Sequence, residues 1–180
     1  MKQNLYSCAL RLCVKVCAQR ILPALKFSDS EGKTFMIKIS LCMIVKNEAA
    51  ILSRCLDSVC DLMDEIIIVD TGSTDDTKAV AAKYTDQIYD FAWNNDFSAA
   101  RNYSFSLANM DYIYAPDADE ILDEENRKRF LLLKEALLLE IEIVQMKYRT
   151  VSEFNTVLNA RTEYRPKLFK RVREFEWIDP

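Results

Sequence analysis

Histidine is absent from this 180-residue sequence, and glycine occurs only twice, at Gly32 and Gly72. Without histidine, neither a Ser-His-Asp triad nor a Cys-His pair can form within the chain, so these nucleophilic mechanisms are excluded. Two distant glycines cannot form the Gly-x-Gly-x-x-Gly motif or a P-loop. Their scarcity therefore argues against a dinucleotide-dependent dehydrogenase and excludes a P-loop NTPase.

Cysteine is present at six positions, but no two of them form a Cys-x-x-Cys pair. Because the chain also lacks histidine, we expect reduced thiols in a cytoplasmic protein rather than a structural zinc site. Cys42, Cys55 and Cys60 fall on apolar faces and are expected in the core. No apolar run reaches the roughly 18–20 residues that a membrane span requires.

Charge is distributed unevenly along the chain. Residues 1–35 carry a net charge of +4 and the rest −8, which gives the overall −4. This shift predicts a basic N-terminal extension, residues 1–35, followed by the folded domain, residues 36–180. Residues 1–26 interleave basic and apolar side chains, so they are either an amphipathic helix at the inner face of the membrane or not part of the native domain. The acidic net charge gives no reason to expect nucleic acid as a partner.

From Met36 onward, strand and helix patterns alternate. Apolar or alternating runs predict strands, and apolar stripes at helical spacing predict helices; the strands are expected at 38–45, 65–69, 87–89, 112–115, 142–149 and 164–171. We expect side-chain caps for the helices from Asn47, a Ser73–Asp76 capping box, Asp96 and Asp123. This order predicts an α/β sandwich with a mainly parallel central sheet flanked by helices.

Polar side chains follow three of the predicted strands, at Val45–Glu48, Asp70–Ser73 and Pro116–Asp119. Ligands of parallel sheets bind beyond the carboxyl ends of the strands. Asp117 and Asp119 are the sharpest feature, because two adjacent carboxylates repel each other unless a cation lies between them. A divalent cation would fit there and would neutralise a diphosphate; the alternative is a plain acidic loop.

Other residues near these strand ends have more than one interpretation each. Gly72 indicates either a turn with positive φ or a close approach to a nucleotide, with Asp70 accepting hydrogen bonds from it. Arg101 either reaches a phosphate, pairs with a site aspartate or lies on the helix surface. Glu48 meets a nucleotide or favours a helix N-terminus. Trp93 and Phe97 form a pocket wall or pack in the core, and we favour the core.

Four segments in this order resemble the bacterial family-2 glycosyltransferases with the GT-A fold, a Rossmann-type sandwich. They are Ser40–Glu48, Ile68–Thr77, Asn95–Asn102 and Asp117–Glu120. Within the family they are most similar to the branch that contains the S-glycosyltransferase of the glycopeptide sublancin. The resemblance extends over residues 37–180.

The resemblance implies a nucleotide-diphosphate sugar donor, commonly UDP-linked, and Mg²⁺ or Mn²⁺ as cofactor. By matching position, Asp119 would bind the metal. The residues expected to bind the nucleotide sugar are Val45, Glu48, Asp70, Gly72, Ser73, Arg101 and Asp117. Among them, Arg101 would lie near the diphosphate and Asp117 on the ribose side. The acceptor stays open between a peptide, a lipid-linked sugar and an envelope glycan.

Relatives typically continue past the point that matches Pro180 into a His-Glu pair. We therefore expect the general base to lie beyond Pro180, and this chain alone to bind donor weakly and to turn over poorly. The alternative function is a catalytically inactive module that binds nucleotide sugars or a partner. A nucleotidyltransferase ranks well below both, because such enzymes place a Gly-rich basic loop after the first strand, and Lys46–Glu48 contains no glycine.

Overall fold

The structure is a computed structural model that describes residues 7–11, 36–151 and 162–178. In these ranges, twelve elements follow one another: β1 (Ser7–Arg11), β2 (Ile39–Val45), α1 (Leu52–Val59), β3 (Glu65–Asp70), α2 (Thr77–Ala81), β4 (Ile88–Asp90), α3 (Phe97–Ser106), β5 (Tyr112–Tyr114), β6 (Glu120–Leu122), α4 (Glu124–Ala136), β7 (Ile143–Val151) and β8 (Thr162–Lys170). Short 3-10 turns occupy Cys60–Leu62 and Arg171–Arg173.

The described strands form one sheet in the order β4-β3-β2-β5-β8-β7-β1-β6. The strands β4, β3, β2 and β5 are mutually parallel, as are β1 and β6. Antiparallel pairing joins β5 to β8, β8 to β7, and β7 to β1. The predicted α/β class with a mainly parallel sheet is confirmed.

Strand β2 shows how the sequence builds a core on both faces of the sheet. Successive side chains of a strand point to opposite faces. Leu41 and Met43 therefore pack with the buried residues of α1 and α4, whereas Cys42 packs on the other face with Phe105 of α3. This two-sided burial explains the nearly continuous apolar run. Cys42 and Cys55 are buried as expected, and Cys60 is half-buried.

Two predicted helix caps are confirmed, and two are wrong. The carboxylates of Asp96 and Asp123 accept hydrogen bonds from the backbone N–H groups of Ala99 and Asn126. Asn47 does not cap α1, because Ile51 precedes that helix and has no capping side chain. The Ser73–Asp76 capping box is also absent: Asp76 precedes α2 without a side-chain cap bond.

The N-terminal extension contributes one strand to the described structure. Ser7–Arg11 lies between β6 and β7, parallel to the first and antiparallel to the second. These five residues are therefore a strand rather than part of an amphipathic helix, and the remainder of 1–35 lies outside the described residues. The domain boundary near Met36 stays a prediction. Within the described ranges, no helix has the length and apolar character needed to cross a membrane.

Candidate functional site

A cavity of about 670 Å³ opens beyond the carboxyl ends of β2 and β5. Its walls come from the loops after these strands, from α3, from β8 and from the segment after β8. They comprise Ile44, Glu48, Ile51, Phe97, Arg101, Ala115, Asp117, Ala118, Asp119, Arg165, Pro166, Lys167 and Trp177. The cavity thus lies where the sheet topology predicts a ligand site, and it brings together Glu48, Arg101, Asp117 and Asp119.

A smaller cavity of about 200 Å³ adjoins the first, and both share Ile44, Glu48 and Phe97. Its further walls are Val45, Lys46, Thr71 and Trp93. Trp93 and Phe97 are 39% and 46% exposed as residues. The expectation that these two aromatics pack in the core is therefore wrong, because they form cavity walls instead.

Asp117 is bound by two cationic side chains from different elements. Arg101 Nη2 of α3 is 3.1 Å from one carboxylate oxygen, and Lys167 Nζ of β8 is 3.0 Å from the other. Burial would raise the pKa of Asp117, but the charges of Lys167 and Arg101 outweigh it and lower that pKa to about 2. Asp117 is therefore ionised and neutralised by protein groups.

Arg101 is buried, with 7% of its side chain exposed, so the surface-arginine interpretation is wrong. Its guanidinium carbon lies 5.1 Å from the ring centroids of both Phe97 and Trp177. Stacking on aromatic rings and a carboxylate partner together suit guanidinium better than ammonium. Its Nε atom is buried without a hydrogen-bond partner in the part of the chain that the structure describes. Of the remaining interpretations, the structure shows the pairing of Arg101 with an aspartate, Asp117, and a contact with a phosphate stays a prediction.

Lys167 is a site residue that the sequence analysis missed. It is only 4% exposed, and its ammonium also lies 2.5 Å from Glu120 Oε1. That contact is an ion pair without hydrogen-bond alignment. Burial raises the pKa of Glu120 to about 7 despite the opposing charge of Lys167. The only sequence signal was a lysine next to the apolar pair Leu168 and Phe169, inside a predicted strand.

Asp119 and Glu48 are half-buried carboxylates that line the large cavity. Burial raises the pKa of Glu48, and the negative charges of Asp119 and then Asp75 raise it further. The Asp119 carboxylate is thus close enough to disfavour the charge of Glu48. In contrast to Asp117, neither has an ion-pair partner among the described residues.

This pair of carboxylates suits a hard divalent cation. Mg²⁺ is commonly held by one or two carboxylates together with substrate phosphates and water, rather than by a full cage of protein ligands. In the described ranges, no group of three or more His, Cys, Asp or Glu side chains could hold a metal by itself. The donor set therefore fits a cation that arrives with a phosphate-bearing ligand.

Asp70, Gly72 and Ser73 line neither cavity. Asp70 is fully buried, and its Oδ1 accepts hydrogen bonds from the N–H groups of Gly72, at 2.9 Å, and Ser73, at 2.8 Å. Burial opposes ionisation, but the bonds from Ser73 and Gly72 outweigh it, so the pKa of Asp70 is lowered. Its Oδ2 is buried without a described partner. Their contact with a nucleotide stays a prediction.

Gly72 has a φ of +97°, and nothing lies within 4 Å of the position that a Cβ would take. Glycine is therefore required by the backbone conformation and not by crowding. This confirms the positive-φ interpretation of the turn after β3.

The loop after β3 holds the loop after β2, which explains the two wrong cap predictions. Ser73 Oγ accepts a hydrogen bond from Asn47 N–H at 2.9 Å, and Thr77 Oγ1 accepts one from Glu48 N–H at 2.8 Å. Asn47 Oδ1 in turn accepts from Thr74 N–H. Asn47 itself has a φ of 56°. These polar groups therefore fix the backbone of Glu48 at the cavity instead of capping their own helices.

Comparison with known proteins places this geometry in context. The model of the family described as "Glycosyl transferase family 2" matches residues 40–179. The SPbeta prophage-derived glycosyltransferase SunS of Bacillus subtilis is 40% identical over 100 residues, which are 54% of this chain and 23% of that protein. A TPR repeat-containing protein of Synechococcus elongatus is 49% identical over 87 residues, 48% of this chain and 22% of that protein.

Further matches agree in fold and in family. A glycosyltransferase of Rickettsia felis is 40% identical over 90 residues, 50% of this chain and 31% of that protein. The matched part of the chain thus spans less than a third of each of these three relatives. The crystal structure of glucosyl-3-phosphoglycerate synthase from Mycobacterium tuberculosis superimposes with a TM-score of 0.50 at 23% identity, covering 59% of this chain and 43% of that one, and shares the fold.

Proposed function

The chain belongs to glycosyl transferase family 2, and we propose that its cavity binds the diphosphate of a UDP-sugar together with Mg²⁺ or Mn²⁺, for transfer of the sugar to an acceptor. The observation that carries this proposal is the contrast among the carboxylates of the cavity. Asp117 is neutralised by Arg101 and Lys167, whereas Asp119 and Glu48 face the cavity without a described cationic partner.

Asp119 would hold the cation, with Glu48 close enough to add to its electrostatic attraction. A divalent cation bound there would neutralise the diphosphate and stabilise it as the leaving group. Of the two carboxylates, Asp119 is the stronger candidate, since burial and neighbouring negative charges make Glu48 a weaker acid than usual. A cation would lower the pKa of Glu48 in return, because opposite charge favours the ionised form.

The nucleoside is proposed to occupy the smaller cavity, which continues from the large one past Glu48. Val45 lines its wall, and the exposed indole of Trp93 offers an apolar face to a base. Aromatic stacking contributes about 1–3 kcal/mol per base in proteins that bind single-stranded nucleic acids. The loop after β3, with Asp70, Gly72 and Ser73, would support this site by fixing the neighbouring loop that carries Glu48.

Arg101 and Asp117 are proposed to shape the diphosphate side of the large cavity. Because Asp117 already binds the Arg101 guanidinium, Arg101 does not carry an uncompensated charge into the cavity. Its role is to hold the carboxylate of Asp117 in place while its guanidinium lines the donor side of the cavity. Transfer then breaks the bond between the anomeric carbon and the diphosphate oxygen as an acceptor nucleophile bonds to that carbon.

Calorimetric titration of the chain with UDP, with and without MnCl₂, tests the proposal. We expect Mn²⁺ to strengthen UDP binding at least tenfold in the unmodified chain and in Asp86→Asn, a matched control in which an exposed aspartate outside both cavities changes. In Asp119→Asn, the Mn²⁺ effect should disappear. Equal affinity for UDP with and without Mn²⁺ in the unmodified chain would contradict the proposal.

Hydrolysis of a UDP-sugar in the presence of Mn²⁺ separates an enzyme from a binding module. A hydrolysis rate above background that Asp119→Ala abolishes supports a glycosyltransferase. Mn²⁺-dependent binding without any hydrolysis supports the alternative of a catalytically inactive nucleotide-sugar-binding module. Comparison of UDP with GDP as ligand checks the choice of nucleotide, since we expect the uracil nucleotide to bind more tightly.

A further inference from the structure

Lys167 occupies an unusual position for a lysine, because both its backbone and its side chain hold the acidic turn after β5. Its carbonyl accepts a 2.9 Å hydrogen bond from Ala115 N–H, just before the turn. Its ammonium lies 3.0 Å from Asp117 Oδ2 and 2.5 Å from Glu120 Oε1. With 4% of the residue exposed, these carboxylates replace water as its partners.

The two carboxylates bound by Lys167 flank Asp119 in the sequence. Asp117 opens the turn, Glu120 closes it as the first residue of β6, and a 3.0 Å backbone hydrogen bond from Glu120 N–H to the Asp117 carbonyl joins the two ends. Asp119 has no side-chain hydrogen bond or ion pair of its own to the described residues. Its direction is therefore set by the turn, and Lys167 is the one cation that binds the carboxylates on both sides of it in the described structure.

Buried charge makes this arrangement sensitive to the removal of that ammonium. Asp117 would keep Arg101 as a partner, but Glu120, which is 1% exposed, would lose its only described cation. Removal of one member of a buried ion pair leaves the other uncompensated and is strongly destabilising locally. The turn would respond by moving Glu120 toward water, and Asp119 would move with it.

We propose that Lys167 is a positioning residue of the cation site: it binds the carboxylates on both sides of Asp119 and thereby fixes the direction of the Asp119 carboxylate into the cavity. This inference rests on the proposed function, since it concerns how Asp119 meets a divalent cation. Residues that orient metal ligands from behind typically change metal affinity 10–100-fold when they are replaced.

The test compares Mn²⁺-dependent UDP binding in three variants of the full chain. Lys167→Met alone leaves Glu120 buried without its cation. The test therefore uses the double variant Lys167→Met/Glu120→Gln, in which both members of the ion pair become neutral and the chain is expected to fold. Lys134→Met is the matched control. Lys134 is also a buried lysine, 6% exposed and paired with Asp64, but Asp64 contacts Ile39 at the opposite end of β2. Asp119→Asn reports the complete loss of the cation effect.

We expect the double variant to fold and to bind UDP without Mn²⁺ as the unmodified chain does, while the Mn²⁺ enhancement falls about tenfold or more. Lys134→Met should lower the melting temperature but keep the full enhancement. If the double variant retains the full enhancement while Asp119→Asn loses it, the role of Lys167 is refuted and the proposed function stands. A double variant that loses UDP affinity equally with and without Mn²⁺ also refutes it, because the role would then be structural. If Mn²⁺ has no effect in the unmodified chain, both proposals fall.

Discussion

The Arg101 guanidinium donates a 3.1 Å hydrogen bond to the Asp117 carboxylate and so joins helix α3 to the turn after strand β5. These two residues are 16 positions apart in the sequence. They meet because α3 packs on β2 and β3, where its Phe105 lies in one cluster with Ile113 and Ala115. Their pairing leaves Asp119 as the carboxylate of the Asp-x-Asp motif that lines the cavity without an ion-pair partner among the described residues. The two aspartates therefore differ in their contacts, although they are chemically identical.

Replacement of Arg101 tests how much its guanidinium, stacked on two rings and paired with Asp117, contributes to the free energy of unfolding. Arg101→Met should destabilise the fold by about 2 kcal/mol, below the usual cost of breaking a buried pair, because Asp117 keeps Lys167 and is partly exposed. Arg101→Lys keeps the charge but loses the planar contact with Phe97 and Trp177, so we expect an intermediate loss. Denaturant unfolding measures both values, and equal stability of the lysine variant and the unmodified chain would contradict the role of stacking.

Asn102 fastens the segment after β8 to helix α3. Its amide donates to the Trp177 carbonyl at 3.0 Å, and its carbonyl accepts from Trp177 N–H at 2.8 Å. Asn102→Ala removes both bonds and should cost about 2 kcal/mol. It should also shift the emission of Trp177 toward that of an exposed indole, measured in a Trp93→Phe background because the chain has two tryptophans.

The control for the two Asn102–Trp177 hydrogen bonds is Ser106→Ala on the same helix. The Ser106 hydroxyl bonds only to the nearby Tyr103 carbonyl in the described structure. Unchanged Trp177 emission in Asn102→Ala would show that the apolar contacts with Phe105 and Phe169 hold the segment by themselves.

Glu65 should make the stability of the fold depend on pH in the acidic range. Burial would raise its pKa, but hydrogen bonds from Asn109 and Ser40 outweigh burial, so the pKa lies below its ordinary value of 4.5. A carboxyl group with a lower pKa in the folded state stabilises the fold above its unfolded pKa, and that stabilisation disappears as pH falls through the folded pKa.

Glu65→Gln removes this titration. The difference in the free energy of unfolding between the unmodified chain and Glu65→Gln should be largest near neutral pH and should shrink below about pH 4.5. Chemical denaturation at several pH values gives this difference directly. A gap that stays constant with pH, or widens in acid, would show that the hydrogen bonds do not favour the charged form.

Gly72→Ala should cost about 1–2 kcal/mol through backbone strain alone, because φ is +97° and an added Cβ would meet no atom within 4 Å. Gly72→Asn should cost less, since asparagine tolerates positive φ better than alanine. Because the same loop holds Asn47 and Glu48, we also expect weaker UDP binding in Gly72→Ala. If Gly72→Ala is as stable as the unmodified chain, the loop can adopt another conformation without loss of stability.

The sequence predicted the helices and strands, which depend on local signals, better than it predicted the contacts between loops. Asp96 and Asp123 cap their own helices, as their spacing indicated, because an N-cap is a local interaction. Asn47 and Ser73 have equally suitable side chains, but they bond to each other's loops across the sheet edge. A single sequence does not show which of these competing partners is closer in space.

The sequence predicted cavity residues that carry charged side chains just after a strand. It did not predict those that come from distant parts of the chain. Glu48, Asp117 and Asp119 line one cavity, as expected for polar residues at the carboxyl ends of parallel strands. The same argument selected Asp70, Gly72 and Ser73, which line neither cavity. Lys167 was missed because its partners are 50 and 47 positions earlier, and β8 reaches them only through its antiparallel pairing with β5. Trp93 and Phe97 were assigned to the core because their apolar character does not distinguish a cavity wall from a packed interior.

Electron paramagnetic resonance of Mn²⁺ shows whether Asp119 and UDP bind one divalent cation together. If they do, the signal of free Mn²⁺ should decrease strongly when the chain and UDP are both present, beyond the effect of either alone. Asp119→Asn should abolish this additional decrease, and Asp86→Asn should not. An identical signal for the unmodified chain and Asp119→Asn would show that Asp119 does not bind the cation.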